Sequence, residues 1–282
     1  MVRQRLTITL DPKILKKIDS FIDGKKIRNR SHAIEYLVKS NLPLSVKKAV
    51  ILAGGPGVHF RPLTYEIPNL LIPFKGKPLL VHLINQIKRA GINQIILCVG
   101  YLSERIVDSF GDGREFGIKI TYSYDGPRPL GTAGALLKAR RFLGKSPFLV
   151  IHGDVISEID FSDMINFHEE KNYLATLALT TVKNPQRCGV VRVKGIRVKE
   201  FLEKPPLTKS NSHLVHAGVY ILENQAFDYF PRKKKMMMEK DVFPKLIKAD
   251  KVAAYLLAGQ WFDISYPQFY EKALKVFKFR KG

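Results

Sequence analysis

The run Ala49-Val-Ile-Leu-Ala53, halted by Gly54, Gly55 and Gly57, constrains this chain more than any other feature. An apolar run without polar alternation needs cover on both faces, as a parallel strand inside an α/β sheet has. The glycines that end it permit a tight turn and close approach of backbone to a ligand, the needs of a phosphate-cradling loop. Three glycines alone are a weak sign; the segments downstream of them strengthen it. Leu79 to Ala90 reads as helix, Gln94 to Val99 and Lys119 to Ser123 as strands, and Ala133 to Leu143 as helix. Phe148 to His152 reads as a further strand, closed by Gly153-Asp154. This alternation predicts a mostly parallel, doubly wound sheet over residues 47–282. Its ligand would sit beyond the carboxyl ends of the strands, where Gly54 and Asp154 fall. The shorter runs Leu174–Thr181, Gly189–Val193, Lys199–Leu202 and Gly218–Leu222 predict mixed or antiparallel additions.

Residues 1–42 have a different pattern. Arg3 to Leu10 alternates, with Leu6, Ile8 and Leu10 on one side and Arg5, Thr7 and Thr9 on the other, which predicts a half-buried strand. Asp11-Pro12 supplies an N-cap and a first-turn proline for a helix carrying Ile14, Leu15, Ile18, Phe21 and Ile22. Ser31 is the predicted N-cap of a second helix. One strand and two short helices cannot bury their apolar faces alone, so an identical copy is the expected partner. The segment resembles the ribbon-helix-helix repressors. That resemblance implies a homodimer, open to higher assembly, that reads double-stranded DNA with Arg3, Arg5, Thr7 and Thr9. Arg30 and Ser31 would hold a phosphate at the start of the second helix. Ten Lys and Arg against four Asp and Glu in this segment favour DNA over a bare dimerisation handle.

Past residue 46 the motifs fall into a second resemblance. The sugar-1-phosphate nucleotidyltransferases have a first loop Gly-Gly-x-Gly-Thr-Arg-Leu-x-Pro-Leu-Thr-x-x-x-Pro-Lys, matched in register by Gly54, Gly55, Gly57, Pro62, Leu63, Thr64 and Pro68. Leu130-Gly-Thr-Ala-Gly134, His152-Gly-Asp154, Glu203-Lys-Pro205, His216-Ala-Gly218, Glu239-Lys-Asp-Val-Phe-Pro244 and Trp261-Phe-Asp-Ile264 continue the likeness in order. The resemblance implies a Rossmann-like mixed-sheet domain of the GT-A kind. It also implies a nucleotide or sugar-nucleotide ligand held by Leu52, Gly54, Gly55, Gly57, Gly131, Thr132, Gly134, Asp154, Glu203, Lys204 and Gly218. Mg²⁺ would sit on Asp154 and Asp263.

Two positions depart from that pattern. His59 and Asn69 stand where the family carries a phosphate-gripping Arg and Lys, with Arg61 as the one nearby substitute. A preorganised charge lost from a transition state costs on the order of 10² to 10³ in rate. With the basic N-terminal segment and a formal net charge of +22, this predicts a DNA-binding transcriptional regulator. Its nucleotidyltransferase-like domain would sense a ligand without efficient turnover. An active sugar-1-phosphate nucleotidyltransferase is the alternative. No run reaches membrane-spanning length and no early segment has a secretory pattern, so a cytosolic protein is expected. Lys233-Lys-Lys-Met-Met-Met238 reads as a solvated loop followed by a helix start, rather than a second DNA site.

Overall fold

The computed structural model describes residues 5–24, 27–41, 45–126, 128–206 and 212–279. The chain divides into two compact units, Met1–Pro43 and Leu44–Gly282.

In the first unit α1 (Pro12–Asp19) starts as its sequence predicts: Asp11 Oδ1 accepts the Lys13 N–H at 2.7 Å, and Pro12 opens the helix. α2 (Arg30–Asn41) begins two residues earlier than expected. Its cap is Asn29, whose Oδ1 accepts the His32 N–H at 2.9 Å, and not Ser31. The predicted strand over residues 5–10 does not form, and Leu6 is 81% exposed. Extended backbone becomes a strand only when a second strand takes its hydrogen bonds. Arg3 lies outside the described residues. Ile18 and Ala33 are buried between the two helices.

The second unit is built on a nine-stranded mixed sheet. In chain order its secondary structure is β1 (Lys48–Ala53), β2 (Pro73–Phe74), β3 (Lys77–Pro78), α3 (Leu79–Arg89), β4 (Gln94–Val99), α4 (Ser103–Phe110), β5 (Lys119–Tyr124), α5 (Gly131–Leu143) and β6 (Phe148–His152). Then come β7 (Val155–Ser157), α6 (Phe161–Lys171), β8 (Ala175–Thr181), β9 (Gly189–Lys194), β10 (Arg197–Glu203), β11 (Leu214–Leu222), α7 (Phe243–Lys248), β12 (Val252–Leu256), β13 (Trp261–Asp263) and α8 (Pro267–Val276). The strand order is β5-β4-β1-β6-β11-β8-β12-β10-β9. β5, β4, β1 and β6 run parallel, β11 is antiparallel to β6 and β8, and β12 is parallel to β8. The late segments expected as mixed additions are thus four of the main sheet's nine strands, β8 to β11.

β1 explains why its sequence is apolar throughout. Ala49 and Ile51 pack on one face with Leu80, Ile84 and Ile87 of α3. Val50 packs on the other with Ala133, Leu136 and Ala139 of α5. Each fully buried Ile or Val contributes about 1.5–3 kcal/mol, and β1 draws on both layers. Among the described residues no helix is long and apolar enough to cross a membrane.

Candidate functional site

The loop after β1 is fixed by close approaches. A Cβ on Gly54 would come within 2.6 Å of Asp125 Oδ2. Gly57 adopts φ +57°, and a Cβ there would collide with the Asn69 carboxamide and sit 2.9 Å from Thr64 Cγ2. Thr64 Oγ1 donates to the Gly57 carbonyl at 2.7 Å. Asn69 therefore packs on the turn itself, and its Oδ1 is buried without a hydrogen-bond partner. The His59 ring stacks on Tyr266, with centroids 4.1 Å apart and planes 26° apart. Arg61 follows the turn Val58–Phe60 in extended backbone and rests 5.0 Å from the centre of the Tyr65 ring.

Two adjoining cavities open beyond the carboxyl ends of β1 and β6. The smaller, of about 230 Å³, is lined by Leu52, Gly54, Gly55, Asp125, Gly131 and Thr132. The larger, of about 380 Å³, is lined by Gly57, His59, Asp154, Glu203, Lys204, Gly218 and Asp263. Gly55, Thr132, His152, Asp154 and Met237 belong to both, and Arg61 lines neither. Of the ligand and metal residues named from sequence, only Gly134 is absent from these linings.

Asp154 and Asp263 meet through a two-stranded ribbon. β7 and β13 pair antiparallel with Val155 opposite Asp263, and Ile264 N–H donates to the Asp154 carbonyl at 2.8 Å. Asp263 Oδ1 accepts the Ser265 N–H at 3.0 Å. Burial, and next the charge of Asp263, raise the Asp154 carboxyl above its ordinary pKa. A carboxylate whose charge is disfavoured by burial and by a second carboxylate attracts a positive ion. Among the described residues no group of three or more His, Cys, Asp or Glu forms a self-sufficient metal cage.

The start of α5 is covered by backbone. The Met236 carbonyl accepts the Ala133 N–H at 3.0 Å, and Met236 N–H donates to the Leu130 carbonyl at 2.9 Å. Gly131 has φ +76°, and a Cβ there would run into that same Met236 carbonyl; one on Gly134 would lie 2.9 Å from the Lys234 carbonyl. These two glycines thus permit segment 234–236 to lie on the helix. Lys233 to Lys235 are exposed, as their charge predicts, and Met238 opens the helical turn Met238–Val242, with Met236 and Met238 buried. Thr132 Oγ1 donates to Glu239 Oε2 at 2.9 Å and accepts the Met238 N–H at 2.8 Å, tying helix to segment.

At the far end of the larger cavity β11 bulges between His216 and Tyr220, with Gly218 at φ +71° against His152 and Val155. Trp261 Nε1 donates to the Ala217 carbonyl at 2.9 Å, joining β13 to the bulge. His216 is 7% exposed among Phe201, Tyr220 and Phe243, and its Nε2 has no partner. Burial and the neighbouring His152 lower its pKa to about 3. Glu203, at the end of β10, is pushed up by burial and by Glu239.

Sequence reasoning missed Asp125, Arg187 and Tyr266. Asp125 is 8% exposed, its Oδ1 has no partner, and burial raises its pKa. The continuation of a parallel strand past its carboxyl end, here β5 into Asp125, is the signal that could have found it. Nothing in the local sequence marks Arg187 or Tyr266, which meet only in the fold.

The fold and this site define a nucleotide-handling α/β domain. A family model described as nucleotidyl transferase matches residues 48–277, and the chain belongs to that family. It is 37% identical over 239 residues to "Probable mannose-1-phosphate guanylyltransferase 2" of Arabidopsis thaliana, covering 82% of this chain and 65% of that protein. It is 36% identical over 226 residues to the mannose-1-phosphate guanylyltransferase catalytic subunit beta of Danio rerio, covering 78% and 62% respectively. The chain thus spans just under two thirds of the length of these curated relatives. The crystal structure of HddC from Yersinia pseudotuberculosis superposes with a TM-score of 0.71 at 27% identity, covering 83% of this chain and all of that one.

These likenesses overturn the regulator expected from sequence. The matched proteins are sugar-phosphate nucleotidyltransferases, and none of these comparisons points to DNA binding or transcription control. Arg30 is held in a two-pronged ion pair with Asp19, at 2.7 and 2.8 Å, and Arg5, Thr7 and Thr9 lie on a segment with no strand to present them. Ser31 lies within α2 and does not cap it. The expected double-stranded DNA partner is thereby withdrawn, while the expected nucleotide or sugar-nucleotide ligand is compatible with these likenesses.

Proposed function

We propose that this chain is a sugar-1-phosphate nucleotidyltransferase, and that its substrates are GTP and mannose 1-phosphate. An oxygen of the sugar phosphate attacks the α-phosphorus, the α–β P–O bond breaks, and pyrophosphate leaves with the bonding pair. Such transfer needs little covalent help; the protein has to align phosphates and meet their charge. The observation that carries this reading is the pairing of Asp154 with Asp263 beside the glycine-turned loop.

Two hard carboxylates, with the charge of Asp263 raising the cost of ionising Asp154, fit Mg²⁺, which takes one or two protein carboxylates and completes its shell with water and substrate phosphates. Bound there, the ion would neutralise phosphate charge at the reacting phosphorus. The chain's own residues do the rest. Gly54, Gly55 and Gly57 let the backbone approach the phosphates. Lys204 faces the sugar phosphate, and Glu203 and Glu239 accept from sugar hydroxyls. Thr132 holds Glu239 in place.

The smaller cavity supports guanine as the base. The free Asp125 carboxylate oxygen suits a ring edge that presents adjacent N–H donors, as guanine N1 and N2 do; adenine has an acceptor at N1 and uracil a single N–H. The names of the relatives agree with guanylyl transfer to mannose 1-phosphate.

Pyrophosphate release from GTP and mannose 1-phosphate with Mg²⁺ tests the proposal. Turnover by the full chain that disappears in Asp154→Asn is expected. An inert chain under these conditions, across GTP, UTP, dTTP and ATP, would sink it.

A further inference from the structure

If the chain transfers a nucleotidyl group, negative charge gathers on the departing pyrophosphate and has to be met by cations already in place. The first loop supplies none. Position 59 is a histidine stacked on Tyr266, Arg61 lies on Tyr65, and Asn69 turns a carboxamide toward Gly57. The larger cavity is edged by four carboxylates, Asp154, Glu203, Glu239 and Asp263, and by two cations, Lys204 and Arg187. Lys204 Nζ is 3.9 Å from Glu203 Oε1. Arg187 has no carboxylate partner among the described residues.

Arg187 comes from the short turn Pro185–Arg187 ahead of β9, far along the chain from the first loop. Its guanidinium carbon lies 5.0 Å from the centre of the Tyr266 ring, and that ring is the one on which His59 stacks. Tyr266 therefore joins Arg187 to the phosphate loop. The kind of restraint matters. A carboxylate would fix the guanidinium and cancel its charge, whereas an aromatic face fixes it and leaves charge and N–H fork available. A lysine could not both stack flat and present two parallel donors.

Resting on the transferase reading, we infer that Arg187 is the phosphate-binding cation of this chain. Held on Tyr266 beside His59, it grips the β- and γ-phosphates of the nucleotide and the pyrophosphate they become. A charge missing from the first loop is supplied from the opposite rim of the cavity.

The test measures both directions of the reaction with the full chain. In Arg187→Ala the KM for GTP and, in reverse, for inorganic pyrophosphate is expected to rise about 10- to 100-fold, as loss of a charged hydrogen-bond donor implies. The KM for mannose 1-phosphate should stay within about twofold, because its contacts lie at Lys204 and Glu203. Guanidinium ion added to Arg187→Ala should restore part of the rate. His59→Arg in that background should restore more, since it places a cation on the same stack. Unchanged GTP and pyrophosphate constants, an equal rise for all substrates, or a loss of thermal stability without rescue would overturn the inference while leaving the transferase reading intact. An inert wild-type chain would overturn that reading. Calorimetry with Mg²⁺ and pyrophosphate would then decide the rest, since equal affinity of wild type and Arg187→Ala overturns the role of Arg187.

Discussion

Ile264 N–H donates to the Asp154 carbonyl at 2.8 Å, and that one bond brings Asp263, the residue before Ile264, beside Asp154 across more than a hundred residues of chain. The ribbon of β7 and β13 is only three residues long on each side, yet Trp261 ties it to the β11 bulge and Ile264 packs with Phe74 and Phe277. Two carboxylates are thereby held together at a cost in electrostatic energy, which a bound cation reverses. Asp154→Asn and Asp263→Asn should each lower kcat by on the order of 10² or more. Mg²⁺ should raise the Tm of the wild-type chain and leave Asp154→Asn unmoved. A Tm response of equal size in both would show that the ion binds elsewhere.

Much of this was legible in the sequence, for identifiable reasons. β1 has no polar residue between Ala49 and Ala53 because both sheet faces are covered, and Asp154 follows β6 while Asp263 ends β13. What sequence could not give was partnership. Arg3 to Leu10 has perfect strand alternation, but alternation states which side chains share a face and not whether a second strand exists. His59 and Asn69 looked like losses because the charge balance of a cavity is a sum over distant segments, and Arg187 belongs to none of the motifs near the loop. Lys233 to Lys235 are solvated as read, but nothing in the sequence shows that Met236 and Met238 behind them are buried.

The backbone of segment 234–236 by itself requires a glycine at position 131. Gly131 has φ +76°, and its missing Cβ leaves room for the Met236 carbonyl that accepts from Ala133. Gly131→Ala combines left-handed strain of about 1–2 kcal/mol with displacement of that carbonyl. A loss of about 2–4 kcal/mol in urea unfolding is expected, larger than for Gly55→Ala, whose Cβ would meet nothing within 4 Å.

Thr132 links α5 to the buried Glu239 and to the Met238 N–H. Thr132→Val keeps the shape and removes both bonds, leaving a buried carboxylate oxygen and an amide unsatisfied. Stability should fall by about 2–4 kcal/mol. Thr132→Ser should recover most of it, which separates the hydroxyl from the methyl group in the same unfolding measurement.

His216 gives a pH dependence with a defined sign. Its pKa falls from 6.5 to about 3 on burial, so the folded chain stays unprotonated there while the unfolded chain takes up a proton. The stability contributed by the neutral ring is complete above pH 6.5 and is lost as pH falls toward 3. Between pH 7 and 4 the wild-type chain should lose about 3 kcal/mol more than His216→Asn, at 1.36 kcal/mol per pH unit below 6.5. Trp261 fluorescence across urea gradients at both pH values reads the difference. Parallel losses in the two proteins would mean that His216 titrates normally.

Asp125 carries the choice of base in the proposed reaction. Gly54 leaves room for one carboxylate oxygen, and the other is buried without a partner at the edge of the smaller cavity. Guanine would meet that oxygen with two donors, so Asp125→Asn should lower kcat/KM for GTP by about 10- to 100-fold through one lost charged bond and one amide facing a donor. ITP, which lacks the N2 amino group, should already be poor with the wild-type chain and should lose less on the substitution. Competition assays with GTP, ITP and UTP measure the ratios. If Asp125→Asn lowers kcat/KM for all three equally, the carboxylate braces the loop at Gly54 and does not read the base.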